Sequence, residues 1–404
     1  MSDAGSDHAR LEAFRAEARA WLEAHCPPAM RAPAESDEAE FWGGRRAAFE
    51  SEAQRAWLER MVERGWTAPT WPREYGGAGL DAAAARVLEE EMRRIGARAP
   101  LKSLGMWMLA PILFEHGTEE QRREHLPPIA RGEIRWCQGY SEPGAGSDLA
   151  SLSTRAVRDG EMFVVDGQKI WTSHADLADW MFCLVRTDPD LPKHKGISFL
   201  LIDMASPGVR VRPIRLISGA SPFCETFFTA VRVPARNLVG QAGAGWTIAK
   251  ALLAHERAAI SRLRDGAVQE EEPLEVLARR CVGADAEGRI ADPVLRDRIA
   301  QVNLDALCNR LALQRSTEAE RAGREPGPGS SMAKLYGTEI NKRRKELRVA
   351  IQGWRGMGWE GDAFTPDELK SVRDWLRSRA SSIEGGTSEI QLDIIAKRVL
   401  GLPG

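Results

Sequence analysis

Cysteine is sparse and scattered. Among 404 residues there are six, Cys26, Cys137, Cys183, Cys224, Cys281 and Cys308, with no C-x-x-C pair. That spacing argues against a structural zinc and offers no disulfide framework, so no metal is expected. Reduced thiols point to a cytoplasmic protein. Long apolar runs are missing, which excludes a membrane-spanning helix. The stretch Met1 to Asp7 lacks the basic and apolar regions of a secretory signal. An excess of one charge is missing as well. Lys and Arg total 56 against 58 Asp and Glu, a formal net charge of −2. No global field therefore favours nucleic acid or an anionic membrane. No internal repeat is evident. What remains, 43% hydrophobic and 28% charged, is the balance of a soluble globular enzyme, and the length allows two or three structural units.

The chain reads as helices, then strands, then helices again, mostly α with one β domain. From His8 to Ala24 apolar residues recur at helical spacing, and Cys26-Pro27-Pro28 ends the element. Further helices are expected from Phe41 to Arg64, Ala82 to Ile95 and Ser103 to His116. Between them Trp71 to Leu80 is an irregular loop rich in Gly. From Arg135 to about Gly240 short β-branched and aromatic runs alternate with turns. Asp159-Gly160 and Asp166-Gly167 are both read as turns, and the section as a small antiparallel barrel or sandwich. Helices return after Trp246. Asp292-Pro293 supplies an N-cap and a proline in the first turn, 323–329 is a loop, and helices follow over Met332 to Ile351 and Pro366 to Arg379. The expected domains are an N-terminal helical domain over 1–133, a middle β domain over 134–240 and a C-terminal helical domain over 241–404.

Three stretches stand out, and the first and third do not look like core. In Tyr140-Ser141-Glu142-Pro143-Gly144-Ala145-Gly146-Ser147-Asp148 the glycines allow close backbone approach and the hydroxyls can bond ring heteroatoms or phosphate. The plain alternative is a surface turn. Asp166-Gly167-Gln168-Lys169-Ile170-Trp171-Thr172-Ser173 sets an aromatic wall beside hydroxyl donors, which suits a flat heteroaromatic ligand. Its plain alternative is a core tryptophan on a strand. Glu384-Gly385-Gly386-Thr387-Ser388-Glu389-Ile390-Gln391 is a glycine pair and polar run that opens a helix.

With Gly65-Trp66 and Trp71 to Leu80 upstream, these stretches resemble the acyl-CoA dehydrogenase family along nearly the whole chain. The order of helical, β and helical domains is similar too. The resemblance implies FAD, an acyl-CoA substrate, and α,β-dehydrogenation to a trans-2-enoyl-CoA with hydride passing to flavin N5. It implies that Gln138, Tyr140 and Ser141 lie along the flavin, with Ser147 near its pyrophosphate and the CoA. Trp171, Thr172 and Ser173 would flank the isoalloxazine, and Thr387 and Glu389 would contact the ADP half. Gln352, Gly356 and Gly358 match a flavin segment in which Arg355 replaces a glycine.

Two departures matter. Most members carry a catalytic Glu directly before Gly-Thr, where this chain has Gly385. The resemblance to isovaleryl-CoA and long-chain acyl-CoA dehydrogenases moves the base to Glu256, in Leu252-Leu253-Ala254-His255-Glu256-Arg257. Arg257 would meet CoA phosphate, and the Gly385 N–H would still grip the thioester oxygen as one donor of an oxyanion hole. The family's Arg-x-x-Phe-Gly segment, which reaches FAD across a subunit interface, is not visible after Arg262. Sequences of the large subunit of pimeloyl-CoA dehydrogenase are similar, so a homodimer, homotetramer or heterotetramer is expected, with an electron-transfer flavoprotein as acceptor. Two alternatives stay open: a non-catalytic or half-site subunit of a hetero-oligomer, and an acyl-CoA oxidase.

Overall fold

The computed structural model describes residues 3–34, 39–253, 272–321 and 329–403. The chain divides into two compact units, Met1–Ile214 with Pro222–Gly266, and Arg215–Ser221 with Ala267–Gly404.

The first unit opens with α1 (Asp3–His25), α2 (Glu52–Glu63), α3 (Ala82–Arg94), α4 (Ala110–His116) and α5 (Glu119–Ala130). Side-chain caps set several starts. Asp81 accepts from Ala84 N at 2.8 Å, and Thr118 with Gln121 forms a full capping box at α5, each closing a donor the helix cannot. The helix expected from Phe41 begins only at Glu52. Gly43 and Gly44 take φ of +71° and +120°, which breaks helical geometry. Ser51 then caps the true start by accepting from Gln54 N at 3.2 Å. A π-helical turn, Gly105–Leu109, leads into α4.

Among the described residues eight strands follow: β1 (Trp136–Gly139), β2 (Arg155–Asp159), β3 (Met162–Ser173), β4 (Trp180–Arg186), β5 (Ile197–Asp203), β6 (Val209–Ile214), β7 (Phe223–Pro234) and β8 (Leu238–Val239). They form one sheet in the order β6-β7-β3-β2-β4-β5-β8, with β1 beside β4. The pairing is antiparallel except that β1 runs parallel to β4 and β2 meets β4 in parallel at Arg155 and Arg186. Asp166-Gly167 is not a turn. It lies inside the twelve-residue β3 at a register shift, where Gly167 has φ +151° and its Cα sits against Thr154, 2.6 Å from where a Cβ would stand. The pairing with β7 continues on both sides of this bulge.

Strands β4 and β5 are buried on both faces, hence their unbroken apolar sequence. Phe182, Leu184, Phe199 and Leu201 join helical residues Leu109, Leu113, Leu126 and Ile129 in one core. The helical stretch 245–253 (α6) adds Ile248 and Leu252 to it. Met181, Cys183, Leu200 and Ile202 face a second core, shared with Phe163, Val165, Phe228 and Val231 of β3 and β7. Each such side chain contributes about 1.5–3 kcal/mol by burial.

The second unit contains α7 (Leu274–Val282), α8 (Pro293–Arg321), α9 (Gly329–Gln352), α10 (Pro366–Ser378) and α11 (Ser388–Ile394) around Leu277, Ile299, Val302, Ile340, Leu347 and Ile351. Asp292 caps α8 through Val294 N and Leu295 N at 2.9 and 3.0 Å. Among the described residues no helix is long and apolar enough to cross a membrane.

Candidate functional site

In the first unit the candidate residues cluster where β1 ends and β3 bulges. Gln138 is half-buried on β1. Tyr140 is buried, its ring edge-on to Phe182 and Phe199. The chain then turns tightly. Glu142 and Ala145 exchange both backbone hydrogen bonds at 3.0 Å across Pro143-Gly144. Gly144 and Gly146 leave open space where a Cβ would stand, so a ligand can approach the backbone there. Ser147 beyond them is exposed.

This turn is fastened to β3. Ile170 N donates to Ser141 O at 2.9 Å. Lys169, fully buried, donates from Nζ to Glu142 Oε1 at 2.8 Å and to Tyr140 O at 3.1 Å. Glu142 accepts further bonds from Thr154 N at 2.9 Å, Ser153 N at 2.6 Å and Ser153 Oγ at 2.9 Å. Burial pushes the Glu142 carboxyl up. The Lys169 charge and these donors outweigh it and hold the group at about 2. Neither residue is assigned a role by reading the motifs. The available signal is Lys169 itself, a cation at an inward-facing position of a strand, which requires a buried anion nearby.

Trp171 follows immediately at a second register shift of β3, between Lys169 and Thr172. Its φ is +61° and it is 53% exposed, so it is not the core tryptophan that a strand position suggests. Thr172 is fully buried. Its hydroxyl donates to Cys224 O at 2.8 Å and lies 3.0 Å from Thr226 Oγ1, so its side chain is committed to the sheet. Ser173 is half-buried.

In the second unit α9 ends at Gln352, whose buried Oε1 has no hydrogen-bond partner among the described residues. Gly356 packs so closely that a Cβ would meet Val349 O at 2.5 Å. Arg355 is held by Glu368, with 2.7 Å between Nη2 and Oε2, and by Ala363 O at 2.9 Å. Glu368 also closes the capping box of α10 with Thr365, so Arg355 serves the local fold.

Gly385 and Gly386 take φ of +64° and +93°, and a Cβ at Gly385 would meet nothing within 4 Å. Thr387 is the N-cap of α11, accepting from Ile390 N at 3.2 Å. Glu389 is exposed in the first turn of that helix. Glu384 forms two bonds with Arg377, at 3.2 and 2.8 Å. Glu256 and Arg257 lie outside the described residues.

Comparison with known proteins agrees with this architecture. Three acyl-CoA dehydrogenase family descriptions match: the N-terminal domain over residues 8–133, the middle domain over 137–231 and the C-terminal domain over 243–400. The chain is similar to acyl-CoA dehydrogenase IpdE1 of Mycobacterium tuberculosis, 39% identical over 97% of this chain and 98% of that protein. Among solved structures it is similar to the Tcur3481-Tcur3483 steroid ACAD, with a TM-score of 0.74, 32% identity and 98% coverage of both chains. It is also similar to the ChsE4-ChsE5 complex of M. tuberculosis, with a TM-score of 0.70, 30% identity and 98% coverage of both. The chain belongs to the acyl-CoA dehydrogenase family of flavoprotein oxidoreductases.

Proposed function

We propose that this chain binds FAD and supplies the catalytic base for α,β-dehydrogenation of an acyl-CoA thioester. The observation that carries the proposal is the fastening of Ser141 to Ile170 and of Glu142 to Lys169. It joins the two stretches that resemble flavin contacts into one surface with Trp171 at its edge. The residues suit the cofactor. Gly144 and Gly146 leave the backbone approachable, and Gln352 carries a buried acceptor with no partner among the described residues, which a ligand donor would satisfy. Gln138, Ser141, Trp171 and Ser173 would hold the ring, Ser147 the pyrophosphate and CoA, and Thr387 and Glu389 the ADP half.

The chemistry that FAD supplies when bound is acceptance of the β-hydride. Glu256 takes the α-proton. The choice is supported by Gly385, which has no carboxylate, and by Glu384, whose carboxylate is engaged with Arg377. The Gly385 N–H polarises the thioester carbonyl, so enolate charge develops against a fixed donor. Arg257 meets CoA phosphate.

We further propose that the working form contains a second chain of the same family. Two solved relatives are two-chain assemblies, and the Arg-x-x-Phe-Gly segment is absent here. One of these relatives is a steroid ACAD, and the resemblance to pimeloyl-CoA dehydrogenase points to dicarboxylic chains. The acyl group is accordingly bulky or long, and the acceptor is an electron-transfer flavoprotein. The test is purification of the chain with and without an adjacently encoded family partner. Anaerobic bleaching of the flavin is then followed with linear, dicarboxylic and steroid-derived acyl-CoAs. A yellow protein bleached by at least one class supports the proposal; a colourless protein in both preparations refutes it.

A further inference from the structure

We propose that Glu142 and Lys169 are positioning residues: their buried pair sets the placement of Ser141 relative to Trp171–Ser173, and thereby how differently the oxidised and reduced flavin are held. The inference rests on the reading that this chain binds FAD.

The pair is poorly explained by stability alone. Burying two charges costs several kcal/mol per ion in desolvation, and a well-packed neutral pair is often as stable or more so. Yet four donors converge on the Glu142 carboxylate: Lys169 Nζ at 2.8 Å, Thr154 N at 2.9 Å, Ser153 N at 2.6 Å and Ser153 Oγ at 2.9 Å. Lys169 Nζ adds a bond to Tyr140 O at 3.1 Å. The result ties three backbone segments, 140–142, 153–154 and 169–170, to one point. Gly167 tightens the tie, since its Cα sits where no side chain fits against Thr154.

Strain lies directly beside this point. Trp171, a bulky residue, holds φ +61°, a left-handed conformation that is costly for any residue with a Cβ. Such a residue persists only when its neighbours over-determine it, and such outliers gather at ligand sites. Here the neighbours are identifiable. Lys169 anchors β3 two residues before, and Thr172 anchors it one residue after through Cys224 O and Thr226. Between these two buried anchors the Trp171 ring stands 53% exposed. The pair therefore fixes a projecting aromatic wall against the Ser141 side of the platform. A fixed polar frame binds two redox states of a ring unequally, which sets its potential.

The experiment compares wild type with Glu142→Gln, Lys169→Met and the double variant, each as full-length protein. Each single variant leaves one buried charge unpaired and is expected to melt earlier. The double variant removes both charges at similar volume, and its FAD-free form is expected to melt within a few degrees of wild type. Its FAD dissociation constant should nevertheless rise about tenfold. The ratio of oxidised- to reduced-flavin affinity should also change about tenfold, about 30 mV for a two-electron couple. A double variant with wild-type melting, FAD affinity and potential overturns the proposal, as does one that cannot fold. Wild-type protein that binds no FAD fails the underlying functional reading instead, and that is evident before any variant is made.

Discussion

Moving the carboxylate tests the proposed base directly. Glu256→Gln should lower the rate of flavin reduction by roughly 10²–10⁴, the usual contribution of a positioned general base. That equals about 3–5 kcal/mol of barrier. Gly385→Glu should then restore part of it, because most of the family keeps its base at that position. The structure sets the cost of the second change. A Cβ at Gly385 meets nothing within 4 Å, so no clash arises. The backbone is left-handed at φ +64°, so the strain is roughly 1–2 kcal/mol. The turn is anchored on its far side by the Thr387 cap and by Lys334 Nζ, which donates to Gly386 O at 2.6 Å. Gly385→Glu should therefore fold and melt a few degrees lower. Rapid-mixing absorbance of the flavin under anaerobic conditions reads the rate. The double variant is expected to reduce at least about tenfold faster than Glu256→Gln alone, the signature of a base regained in part. Glu384→Gln should change little, since that carboxylate is engaged with Arg377. Full-rate reduction by Glu256→Gln would refute the choice of base. A folded, flavin-loaded double variant with no gain would refute the placement of Gly385 beside the reacting carbon.

Two further outcomes concern the scaffold. His125 is 2% exposed between Trp136 and Trp180, and burial, helped by Arg236, lowers its imidazole from 6.5 to about 4. The neutral ring is the folded form, so its stability contribution is complete above pH 6.5 and is lost as pH falls toward 4. The loss is at most about 3 kcal/mol. Denaturant unfolding from pH 7 to 4 should show this slope, and His125→Phe should flatten it. Gly356→Ala places a methyl 2.5 Å from Val349 O and should destabilise by about 1–3 kcal/mol. A melting curve identical to wild type would contradict that packing.

Much of the fold was legible locally. Asp292-Pro293 is read as a helix start, and Asp292 caps α8 there; Asp81, Thr118 and Thr365 cap their helices by the same local bonding, although the helix after Thr118 is not among the expected elements. The runs Trp180 to Val185 and Ile197 to Ile202 are read as strands, and β4 and β5 stand there. Local pattern failed where distant chain intervenes. Phe41 to Ser51 has helical spacing, yet Gly43 packs against Gly132. Asp166-Gly167 reads as a hairpin turn, yet β7 pairs across it and makes it a bulge. Sequence order does not reveal that the Thr172 hydroxyl is bonded to Cys224 O and lies against Thr226 Oγ1. Nor does it reveal that Arg355 is held by Glu368, thirteen residues on.

The order of residue types along the chain was enough for the helix–sheet–helix arrangement, and the motifs at 140–148, 166–173 and 384–391 carry the resemblance to the family. Helix and strand patterns follow from short-range stereochemistry, which is written in one dimension. Only the tertiary structure decided that Glu142 and Lys169 meet, that Trp171 stands outward in a left-handed bend, and that Glu384 is engaged by Arg377. Charge pairing and backbone strain depend on which remote segments share a volume, and that is a property of the packed chain alone.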